Sequence, residues 1–280
     1  MNIAVVGLGL IGGSIAKSLK AKTSHTVFGM DISETVMCRA ELTGAIDHRL
    51  SEENLGECDV VIVALYPEAV IKYVEENSQL IKLNAIVIDT GGIKTAICKR
   101  LDRVANDCGF TFIGAHPMAG LEHSGFDSSV KSLFENASMI LTPPGEINLN
   151  VMEKLKKLCT EIGFSKVVIT TPRHHDEMIA YTSQLAHVVS SAFVQSPKAL
   201  SHKGYSAGSY RDMTRVATLN EYMWTELFLS NSECLLPDLD GIIGKLTSFR
   251  DAIAEGDGDA LTAMLREGRE QKEKADGKVL

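Results

Sequence analysis

The residue best suited to acid–base chemistry is His116, in the run Phe112-Ile113-Gly114-Ala115-His116-Pro117-Met118-Ala119-Gly120. It stands between the end of an apolar, strand-like stretch and a proline, with glycines on either side. An imidazole titrates near neutrality and can take a proton from a hydroxyl, a general-base step typically worth ~10²–10⁴-fold in rate. A lone histidine can equally cap a loop carbonyl, but ligands of open α/β sheets bind beyond the carboxyl ends of the strands, where His116 falls. Gln184, His187 and Ser191 recur at i, i+3 and i+7 on an otherwise apolar helical run. Such a stripe suits the wall of a polar pocket, and its simpler role is exposure to solvent. Arg211 and Arg215 lie where a glycine- and serine-bearing loop from Gly204 runs into a helix. A guanidinium clamps a carboxylate with two parallel hydrogen bonds, whereas surface ion pairing is the simpler role, more so for Arg211 than for Arg215. His174, His175 and Asp176 could suggest a metal, but adjacent residues point to different sides of a helix and no partner pair follows, so no metal site is expected.

The second chemical feature is the glycine run Gly7-Leu8-Gly9-Leu10-Ile11-Gly12-Gly13. It follows a strand-like stretch (Asn2–Val6) and precedes the helical spacing of Ile11, Ile15 and Leu19, the context that makes GxGxxG a dinucleotide cradle. Gly7 permits the turn, Gly9 lets the backbone approach a pyrophosphate, and Gly12 lets helix pack on strand. The phosphates would sit on the helix N-terminus, at Leu10, Ile11 and Gly12, where unpaired N–H groups and the helix dipole favour negative charge. Asp31, 24 positions beyond Gly7, ends the next strand-like run. A carboxylate there binds the adenine ribose hydroxyls and repels a 2′-phosphate, which favours NAD over NADP. Asp31 or Ser33 could instead cap the helix that follows.

The elements that must position these groups follow from alternation. Strand-like runs at 26–31, 59–65, 85–89, one ending at 114, and runs at about 138–142 and 167–169 are separated by helical stretches, among them one opening at Pro67, one from Lys94 to Asn106 and one from Leu149 to Ile162. Those at 59–65 and 85–89 are continuously apolar apart from Asp59 and Asp89, as strands buried on both faces should be. This pattern predicts an α/β fold: a Rossmann-type, doubly wound parallel sheet over residues 1–171. Thr171 and Pro172 read as an N-cap and first helical residue. From there no alternating strand pattern appears, so residues 172–280 are expected to form an all-helical domain.

The net charge of −8 argues against a nucleic-acid surface and against binding to anionic membranes. No apolar run reaches membrane-spanning length and no basic leader precedes the first strand, so a cytoplasmic protein is expected. Six scattered cysteines without a CxxC pair suit reduced thiols and give no metal spacing. An anionic small-molecule substrate would have to be met by a few local cations.

Taken together, the chain resembles the prephenate and arogenate dehydrogenase family over nearly its whole length. The resemblance rests on the glycine run through Ser14, on Asp89-x-Gly91-x-x-Lys94, on His116-Pro117-Met118-Ala119-Gly120 with Glu122 and Gly125, on His187, and on Asp212-x-Thr214-Arg215 with Trp224. It implies oxidative decarboxylation of prephenate with NAD, in which His116 takes the proton of the ring hydroxyl as hydride leaves the same carbon. Arg215 would hold the ring carboxylate, and His187, helped by Gln184, the side chain. Glu122 would gate the pocket, Gly91 would lie at the cofactor, and Trp224 would be offered across a homodimer of helical domains. One departure stands out: Gly92 occupies the place of a serine in many members, leaving Thr90 or water to meet the substrate hydroxyl. Arogenate, with an amino group in place of the ketone, is the nearest alternative substrate. Hydroxyacid dehydrogenases that use a lysine on the helical domain, and a non-catalytic NAD-sensing module, are the others.

Overall fold

The computed structural model describes residues 1–145 and 148–277. Eight strands, β1 (Asn2–Val6), β2 (Thr26–Met30), β3 (His48–Arg49), β4 (Val60–Val63), β5 (Ile86–Asp89), β6 (Thr111–Pro117), β7 (Ser138–Thr142) and β8 (Lys166–Ile169), form one sheet. Their order is β3-β2-β1-β4-β5-β6-β7-β8, so the winding reverses between β1 and β4. The helices between them are α1 (Leu10–Lys22), α2 (Glu34–Leu42), α3 (Glu52–Leu55), α4 (Pro67–Asn77), α5 (Thr95–Cys108) and α6 (Leu149–Ile162). Side chains alternate across the sheet, as the period of two requires. Ile3, Val5, Val60, Ile62, Ile86 and Ile88 pack into one core layer. Ala4, Val6, Val61, Val63 and Val87 pack into the other.

The pairing departs from the expected all-parallel sheet at one place: β6 and β7 run antiparallel, with His116 opposite Ile140. The chain leaves β6 at its carboxyl end and turns back there, Met118 N–H donating to the Ser138 carbonyl (2.8 Å), instead of crossing a face of the sheet in a helix. The remaining pairs are parallel.

From Pro172 the described residues are helical or irregular. Thr171 caps α7 (Pro172–Ile179), its hydroxyl accepting from His174 N–H (3.2 Å), as expected. A π turn at Ala180–Gln184 joins α7 to α8 (Leu185–Val194). Then come α9 (Gly208–Thr214), α10 (Glu221–Ser230), α11 (Ser232–Glu255) and α12 (Gly258–Ala275). By its contacts the chain divides into Met1–Asn231, which holds the sheet together with α7–α10, and a second unit from Ser232 that contains α11 and α12. Among the described residues no helix is long and apolar enough to cross a membrane.

Candidate active site

The glycine cradle lies at the reversal of the strand order. Gly7 has φ +85°, and a Cβ there would come within 2.5 Å of the Ala64 carbonyl oxygen at the end of β4. A Cβ on Gly12 would lie 1.9 Å from the Gly7 carbonyl oxygen, so both positions need glycine for packing. Gly9 is different: it precedes α1 in extended conformation and a Cβ there would meet nothing within 4 Å. Gly13 N–H is the first to bond inside the helix, to the Gly9 carbonyl (2.9 Å), which leaves Leu10, Ile11 and Gly12 at the turn whose N–H groups lack helical acceptors. This open space over a helix N-terminus fits a dinucleotide pyrophosphate.

Asp31 follows β2 directly. Its carboxylate accepts from Leu8 N–H in the glycine turn and from Ser33 N–H, both at 2.9 Å. Ser33, not Asp31, is the N-cap of α2. Asp31 is thus fixed beside the cradle, with lone pairs left for further donors.

At the carboxyl end of β5 a fully buried ion pair joins Lys94 and Asp89. The same carboxylate accepts from Gly91 N–H (2.8 Å) and Ala115 N–H (3.0 Å), so it ties the turn after β5 to β6 one residue before His116. A Cβ on Gly91 would come within 2.9 Å of that carboxylate. At Gly92 a Cβ would meet Leu227 Cδ2 at 3.2 Å, because α10 lies over this turn. A serine there would have to push Leu227 aside by a few tenths of an ångström.

His116 is half-buried, and its Nδ1 is 2.9 Å from Nε2 of His175. His175 Nδ1 is in turn 2.7 Å from Asp176 Oδ1. The Asp176 carboxylate accepts from the backbone N–H groups of Lys94 and Thr95, both at 2.8 Å, and so caps α5 from α7. Burial, the neighbouring His175 and the charge of Lys94 hold His116 well below the usual histidine range, against the pull of Asp176. His175 is lowered too, chiefly by burial. Asp176 sits below the usual carboxylate range: burial pushes it up, but the bonds from His175, Thr95 and Lys94 outweigh that. Sequence reasoning set His175 and Asp176 aside because neighbours on a helix diverge. The ring of His175 instead bends back to the next carboxylate while its far nitrogen reaches β6. Among the described residues no group of three or more His, Cys, Asp or Glu is placed to hold a metal ion.

His187 Nδ1 lies 2.8 Å from the Ser183 carbonyl and its ring stacks on Trp224, centroids 3.9 Å apart. Burial lowers its pKa, and the charge of Arg215 adds to this. Arg215, at the end of α9, is exposed, and among the described residues no carboxylate pairs with it. Trp224 therefore packs on His187 within its own chain. Gln184 differs from the expected pocket-lining residue: it is buried, its Nε2 donating to the Leu227 carbonyl (3.0 Å) and its Oε1 accepting from Asn231 Nδ2 (2.7 Å). Both ends of the amide serve to hold α10 against the π turn. Glu122 is exposed on the loop after β6.

A doubly wound sheet with a glycine cradle at its reversal and a half-buried histidine at the carboxyl end of β6 defines a dinucleotide-dependent oxidoreductase. The family model for "Prephenate dehydrogenase, nucleotide-binding domain" matches residues 15–176, and that for "Prephenate dehydrogenase, dimerization domain" matches 171–267. A cyclohexadienyl dehydrogenase of Zymomonas mobilis is 32% identical over 97% of this chain and 94% of its own. Among solved structures, prephenate dehydrogenase from A. aeolicus in complex with hydroxyphenyl propionate and NAD+ superposes with a TM-score of 0.85 at 26% identity, covering 98% of each chain. Synechocystis arogenate dehydrogenase gives 0.82 at 25% identity, over 98% of this chain and all of its own. The chain belongs to the prephenate dehydrogenase family, and is an oxidoreductase with that family's nucleotide-binding and dimerization domains.

Proposed function

We propose that the protein oxidises prephenate with NAD, releasing carbon dioxide and 4-hydroxyphenylpyruvate, in tyrosine biosynthesis. The observation that carries this reading is the orientation of His116: its Nδ1 is engaged by His175, which leaves Nε2 as the one ring nitrogen free to meet a hydroxyl. NAD, when bound, accepts the hydride. The chain's own residues do the rest. Gly9 and the first N–H groups of α1 receive the pyrophosphate, and Asp31 the ribose hydroxyls, where its charge disfavours a 2′-phosphate. His116 takes the hydroxyl proton, while loss of the ring carboxylate makes the product aromatic. Arg215, exposed and without a carboxylate partner among the described residues, holds the ring carboxylate. His187 meets the side chain, Glu122 gates the entrance and Trp224 backs His187. Homodimerisation runs through the helical half, where Leu236, Ile243, Leu246 and Ile253 leave apolar surface exposed on α11. A cytoplasmic location accords with this substrate.

A second reading, arogenate, has one specific observation in its favour. With Nδ1 donated to Ser183, a neutral His187 presents only an acceptor, which suits the ammonium of arogenate; the side-chain groups of prephenate need a protonated ring. The two readings differ in their pH dependence. Use of prephenate predicts a KM that rises as pH climbs and His187 loses its proton, whereas the KM for arogenate should stay flat or fall. Initial rates with each substrate, and with NAD or NADP, decide between them. Arg215→Ala should raise the KM for the cyclohexadienyl substrate far more than that for NAD; equal effects would make Arg215 structural.

A further inference from the structure

We propose that His175 and Asp176 are positioning residues for His116: they set its tautomer and take up the positive charge that proton transfer creates. This rests on the reading of His116 as the base.

The direction of the hydrogen bonds follows from one fixed end. Asp176 accepts two backbone N–H bonds at 2.8 Å from the start of α5, which holds it ionised and in place. An ionised carboxylate only accepts, so the 2.7 Å contact requires His175 Nδ1 to carry a hydrogen. A neutral His175 then has a bare Nε2, which accepts from His116 Nδ1 at 2.9 Å. His116 Nε2 is therefore the unprotonated nitrogen, the form a base needs. Without Asp176 nothing in this chain of bonds selects that tautomer over the other.

The charges point the same way. The positive charge of Lys94 is matched by Asp89 in a pair with no exposed surface. Asp176 is the one further carboxylate that acts on both rings; Asp89 acts on His175 alone, and Lys94 opposes a positive charge on either ring. A proton that stayed on His116 would leave a desolvated imidazolium one ring away from Asp176. When the substrate O–H bond breaks and His116 Nε2–H forms, the Nδ1 hydrogen of His116 can pass to His175 Nε2. The positive charge then rests on His175, in direct contact with Asp176. On product release the shared hydrogen returns and the proton on His116 Nε2 leaves to water. Capping α5 explains Asp176 as a structural residue, but it does not require a histidine between that carboxylate and His116.

The test uses the full-length protein with His175→Phe, His175→Gln and His116→Asn, each checked for NAD binding and measured across a pH series. His175→Phe removes the acceptor, and kcat should fall about a hundredfold with the KM for NAD within about twofold. His175→Gln can place an amide oxygen near the lost nitrogen, and should recover about tenfold of that loss without restoring charge uptake. In both, the acid limb of kcat should move, because His175 and its path to Asp176 no longer act on His116. Wild-type kcat and an unmoved limb in His175→Phe would overturn the proposal, as would an equal loss in the Phe and Gln variants with an unmoved limb. Should the Phe variant fail to fold, the limb of His175→Gln decides alone. Turnover retained in His116→Asn would instead refute the base itself, so the two failures can be told apart.

Discussion

Replacing Lys94 by Met would test how much of the site's framework hangs on one buried ion pair. The ammonium and the Asp89 carboxylate have no exposed side-chain surface. Removing one partner of a buried pair typically costs ~3–5 kcal/mol, because the other charge is left uncompensated. Here Asp89 keeps the N–H bonds from Gly91 and Ala115, each able to offset part of that loss, so the lower end, about 3 kcal/mol, is expected. For a unit of this size that corresponds to a fall in Tm of ~6–12 °C. Urea unfolding followed by circular dichroism measures the cost, and the double variant Asp89→Asn/Lys94→Met measures the coupling. The double variant should regain part of the stability. Kinetics offer an independent readout: Lys94 lowers the proton affinity of both His116 and His175, so its loss should move the acid limb of kcat to higher pH. A cost below about 1 kcal/mol with no coupling would refute the view that this pair holds the turn after β5.

Gly9 and Gly12 should respond oppositely to alanine. Gly9→Ala enters open space and should leave stability within ~0.5 kcal/mol while weakening NAD binding about tenfold or more; Gly12→Ala, driven against the Gly7 carbonyl, should lose ~1–3 kcal/mol of stability by urea titration. Gly92→Ser should keep kcat within about tenfold, since one neutral hydrogen bond nets only ~0.5–1.5 kcal/mol; a hundredfold change either way would contradict a base that works without it. Stability should fall as pH drops below about 6.5, because His116, His175 and His187 bind protons less readily folded than unfolded, and the unfolded chain gains protons first. A urea midpoint unchanged between about pH 7.5 and about pH 5.5 would count against their burial.

Local signals carried most of the architecture. The strand, glycine turn and helix at residues 2–22, the Thr171 cap and the bounds of α6 all follow from patterns within a few residues, and all appear as expected. The placing of His116 at the carboxyl end of β6 came from the same reading. What escaped was long-range. The His116–His175 bond spans 59 residues and the Asp176 bonds to α5 span 82 and 81, so no window along the chain contains both ends. The rule that helix neighbours diverge speaks against a shared metal and says nothing of a hydrogen bond from His175 to Asp176, because an imidazole has two nitrogens about a ring apart and can serve two directions. The antiparallel β6–β7 pair looked like any other apolar strand pair, since direction is set by the path of the connection. Gln184 kept the spacing of a pocket residue, but the π turn and Asn231 drew its amide inward.

The central claim is that His116 accepts the proton of a ring hydroxyl while NAD takes the hydride. Absorbance of reduced nicotinamide, followed with prephenate and NAD for the wild-type protein and for His116→Asn with NAD binding measured in parallel, tests it most directly. The account predicts turnover by the wild type, and NAD binding without turnover by the variant. Turnover that survives in His116→Asn, or a wild type that reduces NAD with neither prephenate nor arogenate, would contradict it.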